Sequence, residues 1–355
     1  KVDKYLIYSY LFYFVTFLLS LSINGGKMRD LDTASRVVFF VPVLLLLLKY
    51  PIKTCVLSYS IPLGSIISLG IALYDKFILN LRPEQNPRIM HIQGGDISMS
   101  LGIFSLIIAL YAHQKKDVRL TTLSVIGGLC GIVGSLLSTA RGGWIALPVL
   151  LIAILYIYRH SLSKRFFLTF FGIIVVASIG ISQMPNNRIM ERINVAQKDI
   201  QLYLDQNNGN TSLGARFEMW KSALEMAKEK PLFGWGIQGS TEKRKLDTKE
   251  KIVTGDIGQF THAHNQYLDD LSKRGIVGLL ALLAVLFIPL RAFMKKLKTT
   301  NDEIKLIATL GVAHILSVMI YGLSQGFLVH NSGTIFYFFL TIVFYAAIRT
   351  HQKAE

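Results

Sequence analysis

The sequence predicts an all-α polytopic membrane protein, and three observations carry the prediction. Hydrophobic residues make up 52% of the 355 residues and charged residues only 17%, against about 25% charged in a typical soluble domain. The apolar residues gather into ten runs, at 5–23, 37–49, 54–74, 97–112, 120–138, 143–158, 166–183, 275–293, 304–328 and 334–349. A bilayer-crossing helix needs about 20 apolar residues, and fewer when flanking groups snorkel. The 38 lysines and arginines cluster in short connections between runs, which is how the loops of membrane proteins look.

That clustering also decides what the net charge of +16 means. No basic groove or recognised module accompanies it, so nucleic acid is excluded as a partner. Cys55 and Cys130 fall inside apolar runs with neither a disulfide framework nor a metal-type spacing. They read as small buried side chains. The chain starts at Lys1 and no signal-peptide cleavage pattern follows.

In chain order, basic clusters follow every second run. They contain Lys49 and Lys53, then Lys115, Lys116 and Arg119, then Arg159, Lys164 and Arg165, then Arg291, Lys295, Lys296 and Lys298, and finally the tail after Arg349. Alternating helices place all five on one side, predicted to be cytoplasmic. The connections at 24–36, 75–96, 139–142, 184–274 and 329–333 then lie outside. This divides the chain into N-terminal membrane helices (1–183, about seven by this count), a large outer loop (184–274), and C-terminal membrane helices with a tail (275–355, about three).

The outer connections carry the chemistry. In the second, Arg82, Arg88 and His91 precede Gly94, Gly95 and Asp96; outward arginines read either as functional groups or as headgroup contacts. Between the fifth and sixth runs, S-T-A-R-G-G-W sets Arg141 in a tight turn at the membrane boundary. A charge there either lines a pathway or snorkels to the interface, and Gly142 and Gly143 let the backbone approach a ligand or helix.

The long loop opens with helical spacing of Ile189, Ile193, Ile200 and Leu204, an amphipathic helix suited to a membrane surface. After an Asn/Gly turn cluster at 205–211, a second helix is predicted over 213–230, ended by Pro231. It puts Arg216 beside Gly214 in its first turn, with Arg216, Trp220, Ala223 and Ala227 on one face. A helix start has unpaired N–H groups and a positive dipole end, and a guanidinium fork adds affinity for phosphate oxygens. The other open reading pairs Arg216 with Glu218 or Asp205. Residues 241–251 are predicted to be a charged, mobile segment.

Then T-H-A-H-N-Q-Y-L-D-D leads into the eighth run. On an extended strand His262 and His264 point to the same side. A general base, structural hydrogen bonding, or metal ligation with Asp269 or Asp270 all fit these residue types, although no metal-site pattern is present. His314, inside the ninth run, reads as a buried hydrogen-bonded histidine, whereas His330 and Asn331 stand on the same side as the motifs.

Arg141 with Gly142 after one helix, Gly214, Arg216 and Trp220 in a large outer loop, then His262, His264 and Asn265 before the next helix resemble the O-antigen ligase family. The following R-G-I-V-G-L segment from Arg274 fits as well. Related O-antigen polymerases and protein O-glycosyl ligases share these motifs. The resemblance implies a GT-C-like bundle of about twelve helices, with two of them preceding Lys1. It also implies a metal-independent, inverting glycosyltransferase with no cofactor, in the inner membrane. Such an enzyme transfers O-antigen from undecaprenyl diphosphate to lipid A-core on the periplasmic face. Carried onto this chain, Arg141 and Arg216 would bind the diphosphate, with Arg88 at a matching position. His264, or else His262, would take the acceptor proton, with Gly214, Trp220, Asn265 and Tyr267 in support. The rival expectations are an O-antigen polymerase and a lipid-linked oligosaccharide transporter; the latter predicts inverted repeats and broken helices, which are not visible in the sequence.

Overall fold

The computed structural model describes residues 2–50, 52–83, 90–139, 141–159, 162 and 188–354. These form a multi-pass membrane protein whose regular elements, among the described residues, are all helices. Ahead of the long loop come α1 (Val2–Asn24), α2 (Asp32–Lys49), α3 (Thr54–Phe77), α4 (His91–Gln114), α5 (Val118–Ser138) and α6 (Arg141–Tyr158). The loop contributes α7 (Arg188–Gln206), α8 (Ser212–Glu229) and α9 (Gly236–Lys249). Three more follow, α10 (Gln266–Met294), α11 (Asp302–Tyr321) and α12 (Asn331–Ala354). Among the described residues eight helices, α1 to α5 and α10 to α12, are long and apolar enough to cross a membrane, and α6 is a shorter apolar helix. The expected helix at 166–183 lies outside the described residues.

Helices α4, α11 and α12 are the most buried of the membrane-length helices. The core closes over Phe104, Phe344 and Tyr337, all fully buried. His314 belongs to this core: its Nε2 lies 3.0 Å from the Tyr337 carbonyl and its ring stacks on that of Tyr337. A polar ring with a partner is what burial in an apolar bundle demands.

The connections sort onto two faces. On one, Lys115 pairs with Asp302 at 2.7 Å, joining the α4–α5 turn to the start of α11. On the other, Gln238 meets Asp30, Thr33 meets Asn331, and His264 meets Gln325. This is the alternation expected from the basic clusters.

Two expectations for the long loop are corrected. Residues 241–251 are mostly helical, in α9, because their charges turn inward onto α8: Ser222 donates to Asp247 at 2.7 Å, and Lys243 bridges Asp247 and Glu229. The eighth membrane helix begins at Gln266 rather than near 275, because its polar first turns carry their own i,i+4 pairs, Asp269 with Lys273 and Asp270 with Arg274. Buried Arg274 also lies over the rings of Tyr13 and Phe17 on α1.

At Gly275 (φ 65°, ψ −163°) α10 kinks. There the 231–235 connection crosses it. Ile276 N donates to the Pro231 carbonyl at 2.8 Å and Trp235 N to that of Ser272 at 2.9 Å. A Cβ at Gly275 would stand 2.3 Å from the Leu232 backbone, so this contact requires glycine. The crossing fixes α8 and the histidine segment relative to the membrane helices.

Candidate active site

Thr211 starts α8: its Oγ1 accepts from Gly214 N at 3.0 Å, while Asp199 on α7 accepts from Leu213 N at 3.3 Å. The helix-start N–H groups expected to hold an anion are therefore partly taken by the protein itself, and Asp199 adds a negative charge beside them. This leaves the Arg216 side chain as the anion-attracting group of α8. Gly214 sits where a Cβ would be 2.3 Å from the Asn208 carbonyl oxygen, which is why the turn can pass so close. Glu218 has its oxygens engaged by Tyr203 Oη at 2.7 Å and Thr254 N at 2.9 Å, so the carboxylate proposed as a partner for Arg216 serves the loop frame instead.

Arg216 and Ser212 line two adjoining cavities. The first, of about 480 Å³, is also lined by Lys76, Arg82, His91, Thr139 and Gly142. No carboxylate is found among the described residues that line it. The second, of about 340 Å³, is lined by Asn210, Asp256, Gln259, Phe260 and His264. The structure thus brings Arg216 together with Thr139 and Gly142 in one cavity and with His264 in the other. α6 begins at Arg141, whose side chain lies outside the described residues, as does Arg88.

His264 does not lie on a strand. It occupies the left-handed region at φ 48°, and its segment is held by tertiary contacts. Trp220 Nε1 donates to the Ala263 carbonyl at 3.1 Å, Ala263 N donates to Asp269 at 2.9 Å, and Arg244 donates to the Phe260 carbonyl at 3.1 Å. Asn265 caps α10 by accepting from Tyr267 N and Leu268 N. Tyr267 donates to the Met319 carbonyl at 2.9 Å. Asp269 and Asp270 are occupied by Lys273 and Arg274, and no group of metal-ligating side chains forms a cation site among the described residues.

The chemistry of His264 is set by Gln325, which the sequence did not single out. Gln325 Oε1 lies 2.8 Å from His264 Nδ1, and its Nε2 lies 3.1 Å from His330 Nε2 and 3.6 Å from Met90 Sδ. In this orientation the amide nitrogen stands on the side of the Met90 sulfur, a weak acceptor, and the oxygen faces His264. His264 Nδ1 therefore carries the proton, and its Nε2 keeps a lone pair. Burial holds the imidazole below the ordinary histidine pKa; Gln325 opposes this and Arg216 adds to it. At neutral pH His264 is an unprotonated base.

His262 and His330 surround it. The His262 and His264 rings are 4.2 Å apart, and His262 and His330 are 5.6 Å apart. Burial first, and then His264, push His262 down to about 3. It is 8% exposed and lines neither cavity, so it backs His264 rather than facing the cavity. Lys76 went unnoticed in the sequence, although a lysine ending α3 on the outer side departs from the basic bias and could have marked it.

Three comparisons bear on this arrangement. The family model for O-antigen ligase matches residues 126–283, from within α5 to within α10. A protein of Haemophilus influenzae described as uncharacterized is 43% identical over 342 residues, covering 96% of this chain and 86% of its own. The exopolysaccharide production protein ExoQ of Rhizobium meliloti is 27% identical over 124 residues, 34% of this chain and 28% of its own. The matched stretch contains Arg141, Arg216 and both histidines of the H-A-H-N segment; Gln325 and His330 lie beyond it.

Proposed function

We propose that this chain, whose residues 126–283 match the O-antigen ligase family model, transfers O-antigen polysaccharide from undecaprenyl diphosphate to a lipid A-core sugar. In this reading the face bearing the histidines is periplasmic, the membrane is the bacterial inner membrane, and transfer proceeds with inversion and without a metal ion. The observation that carries it is the position of Arg216 between a cation-lined cavity and one holding an unprotonated histidine.

The donor's diphosphate occupies the first cavity, where Lys76, Arg82 and Arg216 meet it; the family resemblance assigns Arg141 and Arg88 to the same diphosphate. Charge develops on the leaving diphosphate as the anomeric carbon–oxygen bond breaks. Fixed cations stabilise it without reorganisation, each positioned donor being worth about 2.7–4 kcal/mol in other enzymes. The acceptor hydroxyl attacks from the opposite side and gives its proton to His264 Nε2. Gln325 holds the other ring nitrogen protonated, the orienting role that a third group plays in catalytic triads.

Reconstitution in proteoliposomes with lipid-linked O-antigen and lipid A-core tests the reading. The expected product is lipid A-core bearing O-antigen. Longer lipid-linked glycan with no transfer to the core would overturn it in favour of a polymerase.

A further inference from the structure

The two cavities that meet at Arg216 differ in chemistry, and the difference assigns the second one. Among the described residues Arg216 is its one cationic lining group. The rest of its polar lining comes from Asp256, Gln259, Asn210 and the hydroxyls of Thr211 and Ser212, with the Phe260 ring beside them. A carboxylate repels a phosphate. It accepts from sugar hydroxyls, as amide oxygens do, while amide nitrogens and hydroxyls can donate to them. An aromatic ring takes the apolar C–H face of a pyranose. His264 lines this cavity and not the cation-lined one.

We propose that the cleft between Asp256, Gln259, Phe260 and His264 is a subsite for an uncharged sugar unit of the acceptor saccharide. This rests on the functional reading above. It goes further by placing acceptor and donor on opposite sides of Arg216 and by naming the groups that select the acceptor.

The cleft is built to hold its shape. The 208–210 and 254–256 turns cross backbone to backbone: a Cβ at Gly255 would stand 2.2 Å from the Gly209 carbonyl oxygen. Asp256 N meets Asn210 Oδ1 at 3.4 Å, and Gln259 Nε2 donates to the Asp256 carbonyl at 3.2 Å. Beneath them Met219, Val253 and Ile257 form a small buried core against which Phe260 packs. Asp256 and Gln259 are exposed on this frame; the Asp256 carboxylate makes none of these bonds, and Gln259→Ala removes only the one from its amide to the Asp256 carbonyl.

Two measurements on the full chain in nanodiscs test the assignment. The first is steady-state transfer with donor and acceptor varied separately. The second is binding of deacylated lipid A-core saccharide, followed by saturation-transfer NMR. Asp256→Ala and Gln259→Ala should each raise the acceptor KM and weaken saccharide binding by about tenfold, with the donor KM unchanged. Asp256→Asn should recover most of that loss, since hydrogen bonding rather than charge is at work. Arg82→Ala should instead raise the donor KM. If the wild type transfers glycan while both alanine variants keep the wild-type acceptor KM and saccharide affinity, the subsite is wrong and the functional reading stands. If the wild type binds saccharide through Asp256 and Gln259 but transfers nothing, the functional reading fails and the sugar site stands.

Discussion

Replacing Gln325 by leucine removes one amide of similar volume that touches no substrate cavity. The loss leaves the Nδ1–H of His264 without its 2.8 Å acceptor. The bond strengthens as the imidazole takes the acceptor proton and becomes charged, so its loss removes about 1–3 kcal/mol from the transition state, and with tenfold in rate per 1.36 kcal/mol this lowers kcat by roughly 5- to 150-fold. Both KM values should stay within about twofold, because the lost interaction concerns orientation of the base rather than binding. The direction of the pH effect follows as well. The Gln325 hydrogen bond raises the His264 pKa against burial, so removing it moves the acid limb of the kcat profile to lower pH. Gln325→Glu places a carboxylate against the imidazole and moves that limb to higher pH. The assay is initial-rate transfer in proteoliposomes from about pH 5 to pH 9, with insertion and thermal unfolding checked for each variant. An unchanged kcat in Gln325→Leu, or acid limbs that move in the same direction in the two variants, would refute the role of Gln325.

Arg216→Lys keeps the charge but loses the planar fork, and transfer should fall by at least tenfold; wild-type turnover would point to simple charge attraction. Trp220→Phe loses the donor that holds the Ala263 carbonyl, so kcat should fall roughly two- to tenfold while thermal stability changes little. Asp270→Ala strands buried Arg274 and should cost about 3–5 kcal/mol of stability, read as a lower unfolding temperature in detergent. The double change Asp270→Leu with Arg274→Met should recover most of it. Transfer should continue in EDTA, and a loss restored by Mn²⁺ or Zn²⁺ would bring back a metal-dependent mechanism.

The membrane helices were legible because a run of apolar residues needs only length to be recognised, and the basic clusters then sort the connections between faces. His264 stands out in the sequence because it directly precedes a membrane-length run on the outer side, and Arg216 because it falls in the first turn of a predicted helix of the outer loop. Other features depend on which segments meet in space. Gln325 stands in a short turn after α11 and acquires its role from the approach of residue 266 to residue 322, where Gln266 N donates to the Gly322 carbonyl at 2.7 Å. The α9 segment reads as solvated charge, yet Arg244 is fully buried because Asp269 and the Phe260 carbonyl lie beside it. The helix-start N–H groups of α8 are partly taken for a similar reason: Asp199, from the preceding helix, accepts from one of them. The early start of α10 was readable after all, since Asp269 and Lys273, like Asp270 and Arg274, stand four residues apart.

The most direct test of His264 as the base is the turnover of His264→Ala at saturating donor and acceptor, in protein inserted and folded like the wild type. General-base removal should lower kcat by about 100- to 10,000-fold while the donor KM is retained. Turnover within about twofold of the wild type would contradict it.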